Sequence, residues 1–153
     1  MKVKGLTHVG VIVKNLEKTI EFYTTVLGLE LVDGPSDVFM DPEEGIGMGI
    51  EGDNSEHAHR EAILRIPDGN TIELIEFTVP EPVNVPLTAA CVGKLHMGFL
   101  VDDIEEWVKR LAEYDVKPFM APKEFETGDE KKPIGYWMYM RDPDGIIFEL
   151  QQM

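Results

Sequence analysis

Two histidines and two glutamates stand at matching places in a repeated pattern. The run His8-Val-Gly-Val-Ile-Val-Lys-Asn15-Leu16-Glu17 returns as His96-Met-Gly-Phe-Leu-Val-Asp-Asp103-Ile104-Glu105. The run Pro67-Asp-Gly-Asn-Thr-Ile-Glu73-Leu74 returns as Pro143-Asp-Gly-Ile-Ile-Phe-Glu149-Leu150. Imidazole nitrogens combined with carboxylate oxygens suit a divalent first-row metal in five- or six-coordinate geometry. Taken singly, a strand histidine is ordinarily a hydrogen-bonded core residue, and a glutamate between apolar neighbours ordinarily points to solvent. Here the same pair occurs twice at corresponding positions. Burying two carboxylates is costly without a compensating cation, and one shared metal is the simplest compensation.

The histidine and glutamate of each copy lie too far apart for a local motif, so the first and last strands of each half must run side by side. Leu6–Val13 alternates and is rich in β-branched residues, which predicts a strand with His8, Gly10 and Ile12 on one face and Val9, Val11 and Val13 on the other. The second copy divides alike, with His96, Gly98 and Leu100 opposed to Met97, Phe99 and Val101. A glycine two residues after each histidine leaves space beside the ring. Asn15 and Asp103 are good N-cap residues. Leu16, Ile20, Tyr23 and Leu27 predict one core-facing helical stripe, and Ile104, Val108 and Leu111 predict its counterpart. Gly28 is placed to end the first helix.

Further strands are expected from Leu29–Val32 onward and at Gly45–Glu51, Ala62–Ile66 and Thr71–Phe77. In the second half they are expected at Val116–Met120, Tyr136–Arg141 and Ile146–Gln151. Asp68-Gly69 and Asp144-Gly145 are hairpin-turn signals between the last two strands of each half. The expected fold is therefore α+β, with two βαβββ modules, 5–77 and 94–152, forming a curved, partly open mixed β-sheet barrel. They make one domain over 1–153, joined by a connector, 78–93, that contains Pro80, Pro82 and Pro86. Asp33–His59, acidic and containing several glycines, reads as partly a flap. An even-numbered hairpin loop would set Met138 or Met140 opposite Glu149, with Tyr136 on the same face. It would likewise set Arg60, with Ala62 and Leu64, beside Glu73. Arg60, Tyr136, Met138 and Met140 are then the expected substrate-facing residues, and Trp137 and Tyr139 are expected in the core or an interface.

The four residues and their flanking segments, His8–Tyr23, Arg65–Phe77, His96–Leu111 and Arg141–Gln151, resemble the vicinal oxygen chelate superfamily. That superfamily includes glyoxalase I, methylmalonyl-CoA epimerase, fosfomycin-resistance transferases, extradiol dioxygenases and bleomycin-resistance proteins. The resemblance runs from Gly5 to Gln151 and implies the fold more sharply than the reaction. It implies that His8, Glu73, His96 and Glu149 are the ligands of one divalent metal, whether Ni, Co, Mn, Zn or Fe. The dioxygenases and fosfomycin transferases use two histidines and one glutamate, and the epimerase typically has glutamine where Glu73 stands. A His-Glu-His-Glu set is similar to bacterial-type glyoxalase I. By that resemblance Glu149 is the principal acid/base and Glu73 its counterpart. The metal polarises neighbouring substrate oxygens and stabilises an enediolate while a carboxylate moves a proton at the adjacent carbon. The implied function is a lyase or isomerase, glyoxalase-like or epimerase-like, on a small oxygen-bearing substrate. An Fe(II) ring-cleaving dioxygenase and a metal-free drug-sequestering protein are the alternatives. Val9–Val13 lacks the arginine that glyoxalase I often places there for a glutathione carboxylate, and no cationic cluster suits coenzyme A phosphates. Lys131-Lys132 lies in an acidic loop. These departures leave open a smaller hydroxy- or oxo-substrate, sugar-like or a ring compound.

Bulk properties set the outer bounds. With 153 residues, 43% of them hydrophobic, the chain is long enough for one domain with a real core. A formal net charge of −15 argues against nucleic acid as a partner. No apolar run is long enough to span a membrane, the start lacks a secretory h-region, and the single Cys91 has no internal partner for a disulfide. The expectation is a cytoplasmic protein, a homodimer, whose halves pair within a chain or swap across two. Gly47-Met-Gly49-Ile-Glu-Gly52 matches a dinucleotide fingerprint but lacks the following helix. His57 and His59 are expected at the surface, and Cys91 as a small packing residue.

Overall fold

The computed structural model of the chain describes residues 2–50, 57–85, 88, 90–127 and 132–153. Met1–Asn84 and Val85–Met153 form two compact units. The first runs β1 (His8–Ile12), α1 (Leu16–Glu21) with a π-helical turn at Phe22–Val26, β2 (Glu30–Met40), α2 (Pro42–Gly47), β3 (His57–Arg65) and β4 (Thr71–Val79). The second runs β5 (Met97–Leu100), α3 (Ile104–Glu113), β6 (Lys123–Thr127), β7 (Lys132–Arg141) and β8 (Ile147–Gln152). The sheets have equivalent orders, β1-β4-β3-β2 and β5-β8-β7-β6. In each, the first strand runs parallel to the last and the other pairs are antiparallel. The expected pair of βαβββ modules is present, and neither four-stranded sheet closes into a barrel.

Local chemistry explains the helix starts. Asn15 is extended and its side chain accepts a hydrogen bond from the Lys18 amide; Asp103 does the same for Glu105 and Glu106. The end of the first helical segment is also chemical. Gly28 adopts φ +73°, and the Leu29 amide reaches back to the Tyr23 carbonyl, the wrap that closes a helix through a left-handed residue. The buried stripe is not the expected one, however. The π-helical turn widens the repeat, so Leu16, Thr19, Phe22, Tyr23 and Val26 go inward, while Ile20 and Leu27 are only half-buried. In α3 the expected stripe holds, with Ile104 and Leu111 buried and Val108 half-buried.

Two expected strands are corrected. Pro42–Gly47, overlapping Gly45–Glu51, is helical because Asp41 and Glu44 form a reciprocal capping box with Pro42 in the first turn. Val116–Met120 is irregular, and the strand begins only at Lys123, past Pro118 and Pro122, which cannot donate to a ladder. Part of the expected flap, Asp33–Met40, is the continuation of β2. The tail of the fingerprint-like run, Gly52 included, and Lys131 lie outside the described residues.

Each sheet has one densely packed face. In the first unit α1 packs on β2, β3 and β4. The buried strand residues on that face are Val11, Ala62, Leu64, Ile72 and Leu74. In the second unit Met138, Met140, Phe148 and Leu150 are fully buried. The other face of each sheet carries the histidine and the glutamate.

Candidate metal centre

Parallel pairing of the first and last strands gives both units the same register. Gly10 stands beside Glu73, and Gly98 beside Glu149. The histidine two residues earlier therefore reaches the same glutamate diagonally in each copy. His8 Nε2 lies 3.7 Å from Glu73 Oε2, and His96 Nε2 lies 3.4 Å from Glu149 Oε2. In the first unit a Cβ at Gly10 would meet Glu73 Oε2 at 3.6 Å, an ordinary contact that alanine could make. Anything longer than alanine there would compete with the carboxylate for space. At Gly98 the nearest atoms belong to Gln151, at 4.0 Å.

Both separations exceed a good hydrogen bond. Ligands about 2.1 Å from a metal, at angles between a right angle and 120°, lie roughly 3.0–3.6 Å apart, a range that holds the His96–Glu149 separation and that the His8–Glu73 separation slightly exceeds. The donor types of each pair thus fit a divalent ion. Each pair supplies two ligands, and among the described residues no cluster of three or more histidine, cysteine or acidic side chains is gathered. The two carboxylates differ in shielding, with side-chain exposure of 8% for Glu149 and 27% for Glu73. Phe148 and Leu150, both fully buried, anchor Glu149 from either side along β8.

The expected substrate-facing residues are not on the glutamate faces. Each Pro-Asp-Gly forms a three-residue loop, closed by backbone bonds between Ile66 and Asn70 and between Asp142 and Ile146. Gly69 and Gly145 take the left-handed conformation, with φ +96° and +84°. An odd loop shifts the pairing by one residue, and one residue inverts every face. Tyr139, not Met138 or Met140, stands opposite Glu149, and Ile63 stands opposite Glu73. Met138 and Met140 belong to the core. Tyr136 shares their face by alternation, opposite Gln152.

Arg60 faces the helix side, where it bonds to Glu17 of α1 and Glu76 of β4, at 3.2 Å in the latter case. Asp37 lies 3.7 Å from it. The hydrogen bond from Arg60 holds the Glu17 carboxyl below its ordinary value. A depressed carboxyl stabilises the fold above its unfolded pKa and ceases to do so as pH falls through the folded value. Arg60→Ala should therefore lower stability at neutral pH, with the difference from wild type shrinking on acidification below about pH 4.5, the ordinary glutamate value. Urea titrations at pH 7 and pH 3 measure this, and a difference that grew with acid would refute the assignment.

Two aromatic residues that sequence reasoning assigned to core or interface line the Glu149 face instead. Tyr139 meets His96 edge-on, with centroids 5.5 Å apart and planes at 86°. Trp137 follows at 5.3 Å from Tyr139, and Phe125 at 6.1 Å from Trp137. Only the loop parity could have revealed this in the sequence. His57 and His59 are a second correction, because both are buried in β3. His59 Nε2 lies 3.2 Å from Glu61, while His57 Nδ1 and Nε2 and His59 Nδ1 have no hydrogen-bond partner among the described residues. The sequence held no such signal, since His57 and His59 alternate out of step with Ala62 and Leu64.

With the fold and the paired donors in place, comparison with known proteins defines the class. The chain belongs to the Glyoxalase/Bleomycin resistance protein/Dioxygenase superfamily, whose family model matches residues 5–150. Among curated proteins it is 23% identical over 150 residues to the metallothiol transferase FosB of Staphylococcus haemolyticus, covering 97% of this chain and 83% of that protein. Among solved structures it is similar to a glyoxalase family protein from Bacillus cereus, with a TM-score of 0.76, 26% identity, and coverage of 99% of this chain and 95% of that one. A glyoxalase/dioxygenase from Nostoc punctiforme shares the fold, with a TM-score of 0.67, 19% identity, and coverage of 97% and 90%.

Proposed function

We propose that His8, Glu73, His96 and Glu149 together hold one divalent metal, and that the chain is a metal-dependent lyase or isomerase acting on a small oxygen-bearing substrate. The observation that supports this most is the duplicated contact, in which two histidine–glutamate pairs share one register and a donor spacing suited to an ion. A bound metal supplies Lewis acidity toward neighbouring substrate oxygens. Glu149, shielded from water, moves the proton at the adjacent carbon, and the more open Glu73 is its counterpart across the site. The reading includes a cytoplasmic homodimer, with the two pairs drawn from one chain or from two.

Thiol transfer is the second reading, favoured by the likeness to a metallothiol transferase. In that case the paired donors bind and orient the acceptor, and neither glutamate needs to exchange a carbon-bound proton.

Metal analysis of the purified protein tests the common premise. The expected result is stoichiometric divalent metal in the wild type and its loss in His96→Ala. Unchanged metal in that variant would sink the assignment. Assays of 2-oxoaldehyde hemithioacetals, acyl-CoA epimers and hydroxyketones with Ni, Co, Mn or Zn, beside a thiol-transfer assay, separate the two readings. Oxygen uptake with redox-active iron would replace both by a dioxygenase. A metal-free protein that binds a planar ligand tightly would replace them by a sequestering one.

A further inference from the structure

We infer that the substrate carries a planar ring next to its chelating oxygens, and that Trp137 and Tyr139 select for it; this rests on the metal-site reading above. The register is the starting point. Along β7, residues 135, 137, 139 and 141 share the face of Glu149, and Tyr139 is its direct cross-strand neighbour. Tyr139 also meets the ring of His96, so it touches one member of the donor pair and stands opposite the other. Trp137 lies opposite Gln151, one step further along, and packs edge-on against Tyr139 at 73°. Phe125 on β6 extends the row. These rings are only half-buried, whereas Met138 and Met140, which alternate with them, are fully buried. On the other side of the pair, Leu100 follows Gly98 and is 74% exposed.

The first unit shows that this row is not a requirement of the fold. By the same register, Ile63 takes the place of Tyr139 and Glu61 that of Trp137. Two sheets of equal topology thus flank their glutamates with different chemistry, aliphatic and acidic in one, aromatic in the other. Aromatic rings gain from offset or edge-to-face partners beyond what apolar burial gives. A ring-bearing ligand that reaches the His96–Glu149 pair through its oxygens would have Tyr139 and Trp137 within reach of its plane. A saturated substituent of the same size would gain only the burial.

Two α-hydroxyketones matched in their chelating oxygens test this: 2-hydroxyacetophenone and its cyclohexyl analogue. Trp107→Phe leaves Trp137 as the sole tryptophan, because the chain has two, so its fluorescence reports binding to the metal-loaded protein. The phenyl ligand should bind roughly tenfold more tightly than the cyclohexyl one, as expected of two added ring contacts, and should change the Trp137 emission. In a protein that keeps Trp107, calorimetry should show the preference falling to within about twofold in Trp137→Leu and surviving largely in Trp137→Phe. Metal content should stay the same in both variants. Equal binding of the two ligands by the wild type, or a preference untouched by Trp137→Leu, overturns the inference. Metal-dependent binding without ring preference upholds the metal site and overturns the aromatic wall. Binding and ring preference both undiminished by chelation of the metal uphold the wall and overturn the metal-site reading.

Discussion

Glu149→Gln should lower turnover by about 10²- to 10⁴-fold, the range for removing a positioned general acid or base. The amide keeps an oxygen donor and nearly the same volume, so the variant separates proton transfer from coordination. Exchange of a substrate carbon-bound proton into deuterated water, followed by NMR, measures the step directly. Glu73→Gln should cost less. Its carboxylate is 27% exposed against 8% for Glu149, so water competes for it and can partly stand in for it. Equal losses at the two positions would contradict the ranking. Full exchange in Glu149→Gln with metal in place would remove Glu149 as the acid/base, and would leave thiol transfer as the better reading.

Phe148→Ala should destabilise the fold by about 3–5 kcal/mol, the usual cost of deleting a large aromatic side chain from a packed core. Phe148 is fully buried and meets Phe99 of the neighbouring parallel strand edge-on, at 6.1 Å between centroids. It also precedes Glu149 in the chain, and this makes the experiment informative about the site. If Phe148 only anchors β8, the midpoint of urea unfolding drops while the folded fraction still binds metal with unchanged stoichiometry. A loss below about 1 kcal/mol, within the ordinary range for surface substitutions, would mean that the core face has been misassigned.

Much of this fold was legible because its signals are local. Asn15 and Asp103 read as helix caps and cap helices, Gly28 reads as a stop and takes the left-handed conformation, and the alternation after His8 sorts the two strand faces correctly. Gly45–Glu51 misled because glycine and isoleucine can be read as strand, whereas Asp41, Pro42 and Glu44 upstream had already committed the segment to a helix. Val116–Met120 has the apolar content of a strand, but Pro118 and Pro122 cannot donate to a ladder, and the strand starts only at Lys123. The substrate wall failed for a sharper reason. Pro-Asp-Gly announces a turn without announcing whether its loop is odd or even, and side-chain direction depends entirely on that parity. The histidine–glutamate contacts were inferable because the repeat fixed them twice over, independent of the hairpins. Metal identity and substrate are of another kind, since one scaffold serves many reactions.

The strand order has a dynamic consequence. In each sheet the histidine comes from the outermost strand or the residue just before it, hydrogen-bonded on one side only within that sheet, while the glutamate comes from an interior strand. Short edge strands open at lower free energy than interior ones. Of the four proposed ligands, the carboxylates are thus the ones held by interior strands and the imidazoles the ones held at a sheet edge. For the proposed site, the affinity for a metal would then depend partly on how easily these short strands open within each sheet. Substitutions in β1 or β5 that never touch the ion could then tune how fast it enters and leaves.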